Sequence, residues 1–233
     1  MSADRLEQQT GPAEPPVNPM DTLRDRILDA ALPNVLFDGW TRRSLTDGAR
    51  SAGLVPEDVD IAFPRGVRDA VGYWLSRADD RMAADMEAHG LEGLKIREKV
   101  ALGVRLRLEA VEPHKEAVRR ALSFLALPGN TGMAARSLYR TVDTIWWKCG
   151  DTATDFNFYS KRGLLAAVFS STLLYWLDDT SEGHAETWAF LDRRIGDVMK
   201  VPKITARLKS LGNFLPNPGR FSRAWRAARG SSV

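Results

Sequence analysis

The 233-residue sequence holds one cysteine, Cys149, and three histidines, His89, His114 and His184. A single thiol excludes a disulfide framework and any multi-cysteine zinc site, and it fits a reducing compartment. The histidines fall at predicted helix ends among polar residues, where solvated or capping groups sit. Stepping three residues on from every glutamate never reaches a histidine, so the Glu-x-x-His pairs of a helical di-iron site are missing. A Walker loop, G-x-G-x-x-G, a G-x-S-x-G elbow and C-x-x-C are missing too. Cys149 has no evident His and Asn partners and reads as packing at the end of a Trp-rich helix. The expectation is a protein that is not an enzyme and uses neither metal nor cofactor.

Long apolar runs are scarce as well. The longest, residues 163–177, is broken by Ser170, Ser171 and Thr172, too short and too interrupted to cross a bilayer. Residues 1–20 hold four prolines and almost no large apolar side chain. They show neither a secretory pattern nor an Arg-rich, acid-poor transit segment, and are expected to be disordered. Acidic residues vanish from Lys200 onward, where eight Lys or Arg stand without one Asp or Glu. The preceding body has 25 basic residues against 30 acidic ones. The chain is therefore an acidic body with a basic tail, and its pI of about 9.1 describes neither part.

What remains is helix. Leu23, Ile27, Leu28, Ala31, Val35 and Leu36 recur at spacings of three and four after Asp21, a predicted N-cap, with Pro33 expected to kink the segment. Val71, Trp74, Leu75, Ala78, Met82 and Met86 mark a helix ending near His89 and Gly90. Further periodic segments follow over Leu94 to Leu108, after Pro113, over Ala134 to Trp146, from about Asp155 to Leu177, and over Trp188 to Met199. No strand-like alternation of useful length occurs, so the class is all-α with about nine or ten helices. The expected organisation is a disordered segment (1–20), a helix-turn-helix-like region (21–66), a helical body (67–202) and a basic amphipathic tail (203–233).

Between Gly39 and Pro64 the pattern is specific. Ser44 is the predicted cap of a short helix with Leu45, Ala49 and Ala52, and Gly53 turns it into a third helix ending at Ala62 and Phe63. A helix entering the major groove needs cations for phosphate. This one carries Glu57, Asp58 and Asp60 and no Lys or Arg. Arg42, Arg43 and Arg50 on the preceding helix soften that sign without reversing it. A working DNA-binding role is not expected.

Two other stretches stand out. Trp146 to Tyr159 joins a helix end at Gly150 to a new start near Thr154 or Asp155, and its rings at Phe156, Phe158 and Tyr159 point to three sides of a helix. Both a crowded junction and an exposed docking patch fit. In the tail, Ile204, Leu208, Leu211 and Phe214 accompany Lys203, Arg207 and Lys209. A helix lying on an anionic membrane, a tail docked on its own acidic body and a nucleic-acid arm all fit. Leu165, Phe169, Leu173 and Trp176, roughly in line on the long helix, could line an apolar pocket or fill solid core.

Residues 24–66, with Gly39-Trp40-Thr41, a small-residue helix and Ala52-Gly53, resemble the N-terminal part of the TetR family of regulators. Three further runs are L-x-L-P-x-N (125–130), D-x-x-W (143–146) and G-D-x-x-T-D-F-N-x-Y-[ST]-[KR]-R (150–162). With them the chain resembles the COQ-nine family of ubiquinone biosynthesis over about residues 22–212. The resemblance implies a TetR-like helical bundle with a vestigial helix-turn-helix. It implies an isoprenoid-quinone or other lipid in an apolar pocket, with Leu125 among the contacts, and a homodimer. A membrane-docking C-terminal helix through Ile204, Arg207, Leu208, Leu211 and Phe214 would go with presentation of a quinone precursor to the di-iron demethoxyubiquinone hydroxylase. The hydroxylase-facing patch maps to Asp143, Ile145, Trp146, Asp155, Phe158 and Tyr159; animal members have Trp where this chain has Phe158. The lack of a transit segment suggests a bacterial member, cytoplasmic and peripheral on the inner face of the cytoplasmic membrane. The alternative is a TetR-type ligand-responsive transcriptional regulator.

Overall fold

The structure is a computed structural model that describes residues 18–150 and 156–199, with the side chains of 156–159 left aside. Among the described residues there are nine α-helices and no strand: α1 (Pro19–Asp38), α2 (Arg42–Ser51), α3 (Glu57–Ala62), α4 (Val67–His89), α5 (Ile96–Glu109), α6 (Lys115–Leu125), α7 (Thr131–Lys148), α8 (Phe156–Asp178) and α9 (Ala185–Val198). They form two compact units, one of Met1–Gly90 with Leu106–Thr144, the other of Leu91–Arg105 with Ile145–Val233. None of the described helices is long and apolar enough to cross a membrane.

In the first unit, α1 starts earlier than expected. Asn18, not Asp21, is the N-cap, its side chain accepting from the Met20 N–H at 3.0 Å, and Pro19 follows at a position that needs no N–H. Asp21 lies in the first turn, where a carboxylate also favours the helix dipole. The helix runs unbroken past Pro33, with Ile27, Leu28, Ala31 and Val35 fully buried. At its end Gly39 takes φ 69° and hands over to Trp40, whose indole donates to the Ala117 carbonyl at 3.0 Å. The N-cap of α2 is Thr41, which accepts from the Ser44 N–H at 3.1 Å; Ser44 is buried and its hydroxyl donates to the Gly39 carbonyl at 2.7 Å. Ser44 therefore braces the turn where a cap was expected.

A Cβ on Gly48 would lie 2.6 Å from the Cα of Ala31, so α1 and α2 touch backbone to backbone and only glycine permits it. Arg24 donates to the Ala62 carbonyl at 3.0 Å and pins the end of α3 to α1. Deeper in this unit Asp79 of α4 accepts from Arg107 at 2.6 Å and from the Thr141 hydroxyl at 2.8 Å, all three buried. Burial pushes the Asp79 carboxyl above its ordinary range, against the pull of Arg107.

In the second unit α8 and α9 are joined by a bend built on Asp179. Its carboxylate accepts from the Ser181 N–H at 2.8 Å, the Thr187 N–H at 2.9 Å and the Thr187 hydroxyl. Burial opposes that charge, and the hydrogen bonds from Ser181 and Thr187 overcome it, holding the carboxyl well below the usual range. His184 sits beside it at φ 56°, and Trp188 donates to the Gly183 carbonyl at 2.8 Å. Tyr175 and Phe190 stack with centroids 4.6 Å apart, and Trp176 is fully buried.

Candidate functional site

The second unit contains an apolar cavity of about 200 Å³. Four residues of α8 form one wall: Lys161, Leu164, Leu165 and Val168, spaced 3, 1 and 3 apart, the stripe that a helix repeats on one face. Ile195, Val198 and Met199 at the end of α9 face them, and Ile96, Arg97 and Val100 of α5 supply a third side. Trp146, from the end of α7, completes the lining. Leu165, Val168 and Val100 are buried, whereas Ile96 and Met199 are about half exposed and form a rim. The Lys161 ammonium stands 5.6 Å from the Trp146 ring centre, a cation over a π face. The Trp146 indole Nε1 is buried and has no hydrogen-bond partner among the described residues.

The expected lipid contacts are only partly brought together. Leu165 lines the cavity; Phe169 and Trp176 are buried without reaching it, and Leu173 is half-buried. Leu125 is buried in the first unit. The stripe drawn from sequence lies roughly a quarter-turn round α8 from the stripe that faces the cavity. Ile96, Val100, Leu164, Val168, Ile195 and Val198 were missed. Their spacing of three and four within each helix was legible, but nothing in one helix tells which apolar face is opposed by a gap.

Of the expected docking residues, Asp143 and Trp146 are half-exposed and Ile145 is fully buried. Successive helix positions turn by about 100°, so neighbours in D-x-x-W cannot all face outward. Ile145 is corrected to a packing residue. Trp147, passed over in sequence, is 67% exposed with the Lys148 ammonium 4.9 Å from its ring. Asp155 and the side chains of Phe158 and Tyr159 lie outside the described residues, as do Ile204, Arg207, Leu208, Leu211 and Phe214.

A polar cleft of about 290 Å³ in the first unit brings Asp29, Arg77 and His114 together. Arg77 donates to Asp25 at 2.9 Å and to Asp29 at 2.6 Å, which occupies the carboxylates there. Burial draws the His114 pKa down, so the ring is neutral at pH 7. Burial, then Asp25 and Asp21, pushes the Tyr73 hydroxyl far above its ordinary range, leaving it protonated. On the helix-turn-helix surface Arg42 is engaged by Asp60 at 2.6 and 2.7 Å, and Asp47 engages Arg43 at 3.6 Å and Arg50 at 2.9 Å. The three cations expected to soften the acidic sign are thus engaged by two carboxylates, Asp60 and Asp47.

Comparison with known proteins places this architecture. A solved TetR transcriptional regulator from Nitrosomonas europaea superposes with a TM-score of 0.64 at 21% identity, covering 77% of this chain and 99% of its own, which establishes the TetR-like fold. A family model described as COQ9 matches residues 131–202. The human protein named ubiquinone biosynthesis protein COQ9, mitochondrial, is 31% identical over 221 residues, 92% of this chain and 69% of its own length. A Dictyostelium discoideum protein named probable ubiquinone biosynthesis protein coq9, mitochondrial, is 33% identical over 78% of this chain; the chain spans 61% of that relative. Those names overturn the expected placement on a bacterial cytoplasmic membrane, because the relatives are mitochondrial proteins. That placement rested on the composition of residues 1–20 alone. The likeness to the human protein is extensive enough to decide descent, and the chain belongs to the COQ9 family.

Proposed function

We propose that the chain is a non-catalytic, lipid-binding accessory protein of ubiquinone biosynthesis. It binds a polyprenylated quinone intermediate at a membrane and presents it to the demethoxyubiquinone hydroxylase. The observation that carries this reading is the apolar cavity of the second unit, walled by Leu164, Leu165, Val168, Ile195 and Val198. Support for the pathway comes from the relatives, which are named ubiquinone biosynthesis proteins. Apolar walls of this kind favour hydrocarbon over water by burial alone. Asp143, Trp146, Asp155, Phe158 and Tyr159, together with the exposed Trp147, form the surface offered to the hydroxylase. Ile204, Arg207, Leu208, Leu211 and Phe214 hold the body at an anionic bilayer, each cation near it contributing about 1 kcal/mol. The protein acts as a homodimer.

The full chain, purified from quinone-producing cells, is expected to carry a polyprenyl quinone or its precursor in native mass spectrometry. It is also expected to bind anionic liposomes. Tight, salt-sensitive binding to duplex DNA without liposome binding would instead favour a ligand-responsive regulator. The charge pairing of Arg42, Arg43 and Arg50 speaks against that second reading.

A further inference from the structure

A site of a different kind is found in the first unit. Arginines there are as a rule matched by a carboxylate, as Arg77 is by Asp29 and Arg140 by Asp80. Arg68 and Arg136 break that rule, and both line one polar cleft between α4 and α7. Among the described residues Arg68 donates only to the Gly129 carbonyl, at 3.2 Å, and Arg136 has neither a hydrogen bond nor an ion pair. Both side chains are exposed, so a ligand can reach them. A Cβ on Gly132 would lie 3.7 Å from the Arg136 Nη1. With Arg68 on Gly129 and Arg136 over Gly132, the two guanidinia meet at the start of α7. The other charges of the cleft, Arg65 and Asp69, engage each other at 2.8 Å. The Ser137 hydroxyl lines the cleft as well and has no partner among the described residues.

We propose that this cleft binds a phosphate monoester, held between Arg68 of α4 and Arg136 of α7. Three arginines against one carboxylate leave two positive charges uncompensated. A phosphate monoester carries about 1.5 to 2 negative charges at neutral pH and offers three acceptor oxygens. A carboxylate or a phosphodiester brings a single charge and leaves one guanidinium unmatched. Guanidinium forks from two helices suit a tetrahedral group that accepts from two directions at once, and Ser137 adds a hydroxyl donor. A phosphorylated small molecule and a lipid with a terminal phosphate present the same chemistry to the cleft.

Titration calorimetry of the full chain with glycerol 3-phosphate at low ionic strength tests this. Arg136→Gln is expected to weaken binding about fivefold, the measure of one exposed ion pair, and Arg68→Gln to do the same. Arg26→Gln is the control. Arg26 is exposed in the same unit and donates to the Ala52 carbonyl, so the change removes an equal charge outside the cleft and is expected to leave binding within about twofold. Equal losses in all three variants reduce the effect to diffuse charge and overturn the proposal. Acetate binding as tightly as glycerol 3-phosphate overturns it in favour of a carboxylate, and displacement by duplex DNA overturns it in favour of nucleic acid. Phosphatidylcholine vesicles doped equally with phosphatidate or phosphatidylglycerol identify the source. A preference for phosphatidate that is lost in Arg136→Gln supports the proposal and assigns the phosphate to a lipid. Vesicle binding unchanged by Arg136→Gln, together with weakened glycerol 3-phosphate binding, supports it and assigns a soluble ligand. Failure of both glycerol 3-phosphate and phosphatidate to bind overturns it. The lipid-binding reading of the apolar cavity rests on other residues and is untouched by any of these results.

Discussion

The Lys161 ammonium and the Trp146 ring, 5.6 Å apart, bring a charge from α8 over an aromatic face from the end of α7 at the lining of an apolar cavity. A cation held in this way keeps its stem against apolar surface and its head toward water. The cavity behind it is the feature on which a binding function stands, and it can be closed without disturbing the rest of the molecule.

Leu164→Trp does so. Leu164 lines the cavity and is half-buried, so a larger ring can occupy the gap at little cost in strain. Lipid carry-through in native mass spectrometry is expected to be lost, while thermal unfolding shifts by the equivalent of less than about 1.5 kcal/mol. A folded variant that still carries lipid would move the site elsewhere.

The buried pair of Asp79 and Arg107 calls for a different experiment. Asp79→Ala leaves Arg107 buried opposite a lost partner, and urea denaturation is expected to report a loss of about 3–5 kcal/mol. Replacing both residues by apolar ones of similar size is expected to cost clearly less than the single change. A double variant as unstable as the single one would mean that Thr141 and Arg140, which also approach Asp79, carry the stabilisation.

Asp179 makes stability depend on acid. Its carboxyl titrates below the ordinary range in the folded protein, so protonation favours the unfolded chain. Its contribution is complete above the unfolded value near pH ~4 and drains away as the pH falls toward the folded one. Asp179→Ala removes the acceptor for Ser181 and Thr187. It is expected to destabilise by about 2 kcal/mol at neutral pH and to flatten the acid limb of a urea-stability profile. An unchanged acid limb would assign that limb to other carboxylates.

Much of this fold is legible in the chain. Spacings of three and four place the helices because each buries one face, and Gly90 ends α4 as expected, its φ of 70° open to glycine at little strain. The caps were harder. Asp21 and Ser44 are cap-forming residues in good positions, but Asn18 and Thr41 reach the N–H groups. Side-chain chemistry alone does not rank neighbours of equal aptitude. The acidic character of α3 was readable, whereas the pairing of Arg42 with Asp60, 18 positions away, was not. The cavity was least legible of all. Apolar residues surround much of α8, so composition cannot say which side faces neighbouring helices and which faces a gap. The burial of the Trp146 N–H, without a partner among the described residues, is a property of its surroundings and has no signature in the residue itself.

Arg42 offers a test of the retained head. Asp60→Asn removes the carboxylate that holds its guanidinium, while Arg43 and Arg50 stay with Asp47. Fluorescence anisotropy with duplex DNA is expected to show at most weak, salt-sensitive binding without sequence preference. Sequence-specific binding would revive the regulator reading.

The backbone contact between Gly48 and Ala31 bears on how the head folds. The two residues are only 17 positions apart, so bringing them together closes a short loop at small entropic cost. Contacts of short sequence separation form fast, and this one admits no alternative packing. The head is expected to be the nucleus on which the rest of its unit condenses, with Gly48→Ala slowing refolding as much as it lowers stability. On that account, the head serves the folding of its unit whatever its outer surface binds.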